Sequence, residues 1–68
     1  MSGKQRVATR EEMIAYVHHR LGAEAALMLR MLFDEQGKLS GLRWLREHGI
    51  EPQTLAEQPD FEQAVRPD

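Results

Sequence analysis

The chain has 68 residues, no cysteine and a formal net charge of −2, with 41% hydrophobic and 29% charged residues. This length allows one domain at most, and a chain this short buries only about 60% of the surface that its unfolded state exposes. The lack of cysteine excludes disulfides and thiolate metal sites, so helix packing and self-association are the remaining sources of stability.

Residues 1–8 show no hydrophobic periodicity and include the basic residues Lys4 and Arg6. We predict that they form a mobile basic N-terminal arm, because unpatterned residues at a chain end are usually poorly ordered. The following residues, 9–66, are predicted to form a single helical domain. No apolar run approaches the roughly 18 residues of a membrane span, and the apolar stretch of a secretion signal is absent. We therefore expect a cytoplasmic protein that does not interact with membranes.

The first predicted helix covers residues 9–21. Thr9 and Glu12 have the three-residue spacing of a capping box, in which each side chain bonds the backbone N–H of the other residue. Apolar side chains then recur at steps of three and four residues and form one stripe, which consists of Met13, Ile14, Val17 and Leu21. Gly22 follows this stripe, and the sequence leaves open whether it ends the helix or lies inside a longer one.

The second predicted helix covers residues 23–36 and is apolar on nearly every side, with Arg30 as the interruption. Its apolar residues are Ala25, Ala26, Leu27, Met28, Leu29, Met31, Leu32 and Phe33. A helix of this kind is normally buried. Because the other helices are short, we expect it to be either the central helix of a bundle or, in part, the seam of a dimer.

Three shorter elements follow in the second half of the chain. Leu residues at steps of three predict a helix over residues 39–48, for which Ser40 is a candidate cap; they are Leu39, Leu42 and Leu45. Pro52 opens a short helix over 52–58, and a C-terminal helical turn over 60–65 follows, with Asp60 as its cap. No segment alternates as a strand does. The predicted fold is therefore all-α, a compact bundle of about four short helices with a terminal turn.

The sequence contains no recognisable catalytic or metal site. His18 and His19 are neighbours on a helix, so their side chains diverge by about 100° and cannot chelate one ion as a pair four residues apart does. The paired acids Glu11-Glu12 and Asp34-Glu35 lie at helix ends rather than in a cleft that would separate their pKa values. We expect no enzymatic activity, no cofactor and no bound metal.

DNA binding is the alternative function that the sequence suggests. A helix, a glycine turn and a basic helix follow one another between Phe33 and Gly49, in the order of a helix-turn-helix motif. The candidate nucleic-acid-binding residues are Lys4, Arg6, Lys38, Arg43 and Arg46. Against this reading, Asp34, Glu35 and Glu47 place negative charge beside the basic residues, and the chain as a whole is acidic, which weakens contact with phosphates.

Protein binding is the function that the sequence favours. Met28, Met31, Phe33 and Trp44 are large apolar residues for which so short a chain offers few covering residues. Met adapts to irregular surfaces and Trp is common among the anchors of interfaces. We therefore predict a small non-enzymatic regulator or inhibitor that binds a protein partner and is able to form a homodimer. Small helical proteins of this class include bacterial and phage regulators, an association that rests on size and class alone.

Overall fold

A computed structural model describes residues 7–66 of the chain. Within this range the chain forms four α-helices and one 3₁₀ helix, with no strand, and the predicted all-α bundle is confirmed. The elements are α1 (Arg10–Leu21), α2 (Ala23–Gln36), α3 (Lys38–Glu47), the 3₁₀ helix (Pro52–Glu57) and α4 (Phe61–Val65). Helices that are adjacent in sequence pack on each other, and α4 returns to pack on α1.

Helix α1 begins with the capping box that the sequence predicts. The Thr9 hydroxyl accepts a hydrogen bond of 3.2 Å from the Glu12 backbone N–H, and the Glu12 carboxylate accepts one of 3.0 Å from the Thr9 N–H. Such a cap stabilises a helix by about 1 kcal/mol. The buried stripe of α1 differs from the predicted one at two residues. Tyr16, which was not part of the predicted stripe, is 1% exposed, whereas Leu21, which was, is 46% exposed.

Single glycines connect the first three helices. Gly22 lies between α1 and α2 with φ 104° and ψ 173°, and Gly37 lies between α2 and α3 with φ 100° and ψ 175°. These values fall in a region of backbone conformation that is essentially restricted to glycine, since a Cβ atom is strained there. The N–H of each glycine bonds a carbonyl of the preceding helix, while its own carbonyl accepts from the following helix. Gly22 therefore ends the first helix.

Helix α2 has two different faces. Ala26, Leu29 and Phe33, spaced by three and four residues, are buried against α1 and α3. Large apolar side chains on the opposite face stay exposed, so α2 is not the fully enclosed central helix that its composition suggests. Two flanking helices of ten and twelve residues are too few to surround it.

Helix α3 packs on α2 through a close contact at a glycine. A Cβ atom on Gly41 would lie 2.4 Å from the ring of Phe33, so only a residue without a side chain lets the two helices approach this closely. Leu45 is completely buried, but Leu39 is 79% exposed. The predicted Leu stripe is thus wrong at Leu39, because the buried face of α3 is centred on Gly41 and Leu45 instead.

The short helix and the terminal helical turn predicted for the C-terminal part are both present, with two differences of detail. Residues 52–57 form a 3₁₀ helix rather than an α-helix, because Pro52 and Pro59 leave only six residues for it and short pieces favour the tighter winding. Asp60 precedes α4, but its side chain makes no cap hydrogen bond. Its carboxylate instead accepts from the Tyr16 hydroxyl of α1.

The core is continuous from the start of the described residues to α4. Ala8, at the end of the predicted arm, is 4% exposed and belongs to this core, whereas residues 1–6 lie outside the described range. Leu29, Leu45 and Leu55 come from three different elements and are all completely buried. No buried side-chain nitrogen or oxygen atom within residues 7–66 lacks a hydrogen bond.

Candidate functional site

The largest exposed apolar surface of helix α2 is formed by Leu27, Met28 and Met31, which we call the α2 face. Their exposed fractions are 58%, 55% and 48%, although each is a large hydrophobic side chain. Residues spaced by three and four positions lie on one side of a helix, so these three side chains are neighbours. Contiguous apolar surface on a small chain usually marks an interaction site, whereas isolated exposed residues need no explanation.

The α2 face surrounds a shallow, open depression with a volume of about 410 Å³. Apolar residues form most of its wall, acidic residues stand at its two ends, and the complete lining is Glu24, Leu27, Met28, Met31, Leu32, Glu35 and Gln36. The lining contains no Lys or Arg. A groove that is apolar along its length and open to solvent is suited to the side of another helix rather than to a small molecule, which is normally enclosed on most sides.

The four residues predicted to bind a partner do not form one surface. Met28 and Met31 lie together on the α2 face, but Phe33 is 8% exposed and packs in the core. Trp44 is half-buried against the core, and its ring stacks on His48 at a centroid distance of 3.9 Å. The Nδ1–H of His48 donates to the Trp44 carbonyl at 2.8 Å and holds this stack in place. The sequence identified two of the exposed residues, while Leu27 was missed as a site residue.

Three of the five basic residues predicted to bind DNA lie on α3, and one of these three is ion-paired. Lys4 and Arg6 lie outside the described residues. Lys38, Arg43 and Arg46 are exposed on α3, but the Nε atom of Arg46 lies 3.5 Å from a carboxylate oxygen of Glu51. The connection between α2 and α3 is one residue long, whereas the turn of a helix-turn-helix usually has three or four. These features weaken the resemblance to that motif.

A hydrogen-bonded cluster joins α1 to the C-terminal end of the chain. The Tyr16 hydroxyl donates to Asp60 Oδ1 at 3.0 Å and accepts from Arg20 Nη1 at 2.7 Å. Arg20 Nη1 also lies 3.7 Å from the other carboxylate oxygen of Asp60, as does Nε2 of His19. The ring of Phe61 packs 6.3 Å from that of Tyr16. The sequence did not predict this cluster, because Asp60 lies forty or more positions from its partners on α1.

The pKa of Tyr16 is raised from its ordinary value of 10.0, chiefly because burial disfavours the tyrosinate and also because the hydroxyl donates to the Asp60 carboxylate. The folded state therefore holds this proton more firmly than the unfolded state does. It follows that the resulting stability is fully present below pH 10 and is lost as the pH rises through the raised pKa of the folded protein. The cluster holds the C-terminal helix against α1 at neutral pH.

Tyr16→Phe is expected to lower the free energy of unfolding by about 1 kcal/mol at neutral pH, since it removes both hydrogen bonds of the hydroxyl. Above pH 10 the parent protein should lose stability relative to this variant. Tyr16 is the only tyrosine, so ultraviolet absorbance follows its ionisation directly, and the same titration in denaturant gives the unfolded reference. If the titration midpoint of Tyr16 in the folded protein were equal to or lower than its midpoint in denaturant, the result would contradict the geometry of the cluster.

The histidines do not form a metal site in the part of the chain that the structure describes. His18 is exposed, His19 lies beside Asp60, and His48 stacks on Trp44. Across residues 7–66 there is no group of three or more His, Cys, Asp or Glu side chains placed to hold an ion. In the same range, none of the helices has the length and apolar character required to cross a bilayer.

Comparison with known proteins gives no relative of this chain: no protein family, no curated protein and no solved structure matches it.

Proposed function

We propose that this chain is a small cytoplasmic protein-interaction module, a non-enzymatic regulator or inhibitor that acts by binding a protein partner through the α2 face. The observation that carries the proposal is the exposure of Leu27, Met28 and Met31 side by side on one helix. Removing a large apolar side chain from water contributes about 1.5–3 kcal/mol when burial is complete, and each of these is about half exposed. Three neighbours of this kind supply the apolar centre of a modest interface.

The chemical character of the face supports a macromolecular partner. Two of its three residues are methionines, whose flexible and polarizable side chains adapt to irregular partner surfaces. The depression is open rather than enclosed, which favours a partner with a convex surface of its own. A second copy of this chain is one candidate for that partner.

The test is an affinity capture that compares three forms of the protein. The parent chain, the double variant Leu27→Ser/Met31→Ser and the control Leu39→Ser are immobilised and exposed to lysate from the source cells. Leu39 is the matched control because it is 79% exposed and also apolar, but lies on α3. Unfolding curves of all three must agree within about 0.5 kcal/mol, as is usual for surface substitutions.

We expect a protein that the parent and Leu39→Ser capture equally and that the double variant loses. Loss of two interface anchors at more than 1 kcal/mol each corresponds to a fall in affinity of roughly thirtyfold or more. A partner that the double variant retains at full strength would contradict the proposal. If the captured material disappears on nuclease treatment and binds less tightly with added salt, the DNA-binding alternative through Arg43 and Arg46 replaces it.

A further inference from the structure

The two ends of the α2 face carry unpaired negative charge. Glu24 and Glu35 line the ends of the depression, and the residues between them in its wall are apolar. Both are exposed, and neither forms an ion pair with any other residue of the described range, although six such pairs occur elsewhere in it. The depression therefore has a formal charge of −2 with no basic residue to offset it.

The position of Glu35 makes its charge informative. Glu24 lies in the first turn of α2, where the helix dipole stabilises an acid. Glu35 lies in the last turn, where the same dipole disfavours an acid, and the last turn contains no basic residue. The neighbouring Asp34 is paired with Arg10 of α1, but Glu35 has no such compensation. Within residues 7–66, neither the helix dipole nor an ion pair favours an acid at this position.

We propose that the α2 face binds an amphipathic helix that carries a basic residue at each end of its apolar stripe. This inference rests on the proposed function and names the class of partner. Eleven positions separate Glu24 from Glu35, which corresponds to roughly 16 Å along a helix at about 1.5 Å per residue. A partner helix that packs at a shallow crossing angle of about 20° needs its Lys or Arg residues at a similar spacing, with Leu or Met between them.

The partner is a helix rather than an extended strand because of backbone hydrogen bonding. The N–H and C=O groups of α2 already bond within the helix, so its side offers no backbone partner to a strand. A helix satisfies its own backbone groups and needs to present only side chains. The depression from Glu24 to Glu35 is about three turns of α2 long, which matches an ordinary helical segment.

A second copy of this chain fits the face poorly. An antiparallel pair centred on the apolar residues sets Met28 of one copy against Met31 of the other, and the same register sets Glu24 against Glu35. A parallel pair sets each glutamate against its own equivalent. Both arrangements bring like charges together at both ends of the interface, which is unfavourable. The charge pattern thus favours a basic partner over self-association.

The experiment uses two synthetic helical peptides as probes. Both have the same three-turn stripe of Leu, and they differ in having Lys or Glu at two positions eleven residues apart. Binding to the full chain is measured by fluorescence anisotropy at low and high salt. We expect the Lys peptide to bind about tenfold more tightly than the Glu peptide at low salt, and this preference to shrink as salt screens the charges.

Two variants separate the charge effect from the apolar effect. Glu24→Lys/Glu35→Lys is expected to reverse the preference, so that the Glu peptide binds more tightly. Leu27→Ser/Met31→Ser should lower the affinity for both peptides. Glu47→Lys/Glu57→Lys is the matched control, because it reverses two exposed acids that do not line the depression and changes the net charge by the same amount. It should leave the preference unchanged, which distinguishes local charge from the net charge of the protein.

The outcomes distinguish this inference from the proposed function. Suppose that both peptides bind equally and that Leu27→Ser/Met31→Ser binds neither of them. This result would overturn the inference that the partner is basic, but it would still support an apolar docking surface on α2. If neither peptide binds, the inference is overturned. The capture experiment then tests the proposed function independently. Sedimentation of the parent chain should give a monomer at high concentration. A dimer that Met31→Glu dissociates would also overturn the inference, because a second copy would occupy the face.

Discussion

Leu29→Ala is expected to lower the free energy of unfolding by about 2–5 kcal/mol, the usual cost of removing most of a completely buried leucine. Leu29 is 0% exposed and lies in the middle of α2, the helix that packs on both α1 and α3. At about 0.05–0.15 kcal/mol per residue, a chain of this length has a stability of roughly 3–10 kcal/mol. The variant should therefore be close to unfolding at room temperature, as a urea titration would reveal.

Leu27→Ala is the matched control for this substitution. It removes the same atoms from the same helix two positions away, but Leu27 is 58% exposed. We expect its urea midpoint to change little, by an amount equivalent to about 0.5 kcal/mol or less. The fluorescence of Trp44, the only tryptophan, reports unfolding in both variants. A similar loss of unfolding free energy in Leu27→Ala and Leu29→Ala would mean that α2 does not have one buried and one exposed face.

Gly37→Ala is expected to lower the free energy of unfolding by about 1–3 kcal/mol, because an L-residue is strained at φ 100° and ψ 175°. Steric crowding plays no part, since an added Cβ atom would have no neighbour within 4 Å. The cost arises entirely from the backbone of the residue that joins α2 to α3. A thermal or urea titration of the variant measures it.

Chemical synthesis supplies the control, because a chain of 68 residues is short enough to assemble with D-alanine in place of Gly37. For D-alanine these angles are equivalent to φ −100° and ψ −175° in an L-residue, which lie in the allowed extended region. D-alanine also restricts the unfolded chain in the same way as L-alanine does. The D-form should therefore raise the stability by about 0.4–1 kcal/mol. Equal destabilisation by both enantiomers would show that the helix connection does not have this backbone conformation.

The features that the sequence predicted correctly are local ones. The capping box depends on Thr9 and Glu12 alone, and the predicted end of the second helix at residue 36 depends on the glycine that follows a polar segment. Each acts over a few residues, so its physical basis can be read without knowing the rest of the fold. For Gly22 the same local reasoning left two outcomes open, and the closely similar backbone angles of the two glycines show that both separate helices.

The features that the sequence could not predict depend on which helices meet. An apolar arc on a helix is often wider than the surface that its neighbours cover, so its edges are ambiguous. This is why Tyr16 is buried while Leu21 is exposed, and why Leu39 faces solvent although it continues a Leu repeat. The sequence predicted a helix at residues 52–58 but not its 3₁₀ winding, because two prolines shorten the segment to a length at which local packing decides the winding.

The candidate site was predictable in part for the same reason. Met28 and Met31 could be singled out because the chain is too short to cover every apolar residue of α2. Phe33 could not be separated from them by sequence, since it occupies the same helix, and its burial depends on the gap that Gly41 leaves in α3. The acids at both ends of the α2 face could not be assigned to a site from sequence, because their role depends on the exposed side of α2.

The return of α4 to α1 has a consequence for the order in which the molecule assembles. Helices α1, α2 and α3 meet their immediate neighbours in the chain, so their contacts close short loops and form rapidly. The Tyr16–Asp60 hydrogen bond closes a loop of more than forty residues, which is entropically slower to form. We infer that the three-helix unit forms first and the C-terminal helix docks afterwards. The same end should open first in the native state, so that the amides of α4 exchange with solvent sooner than those of α2.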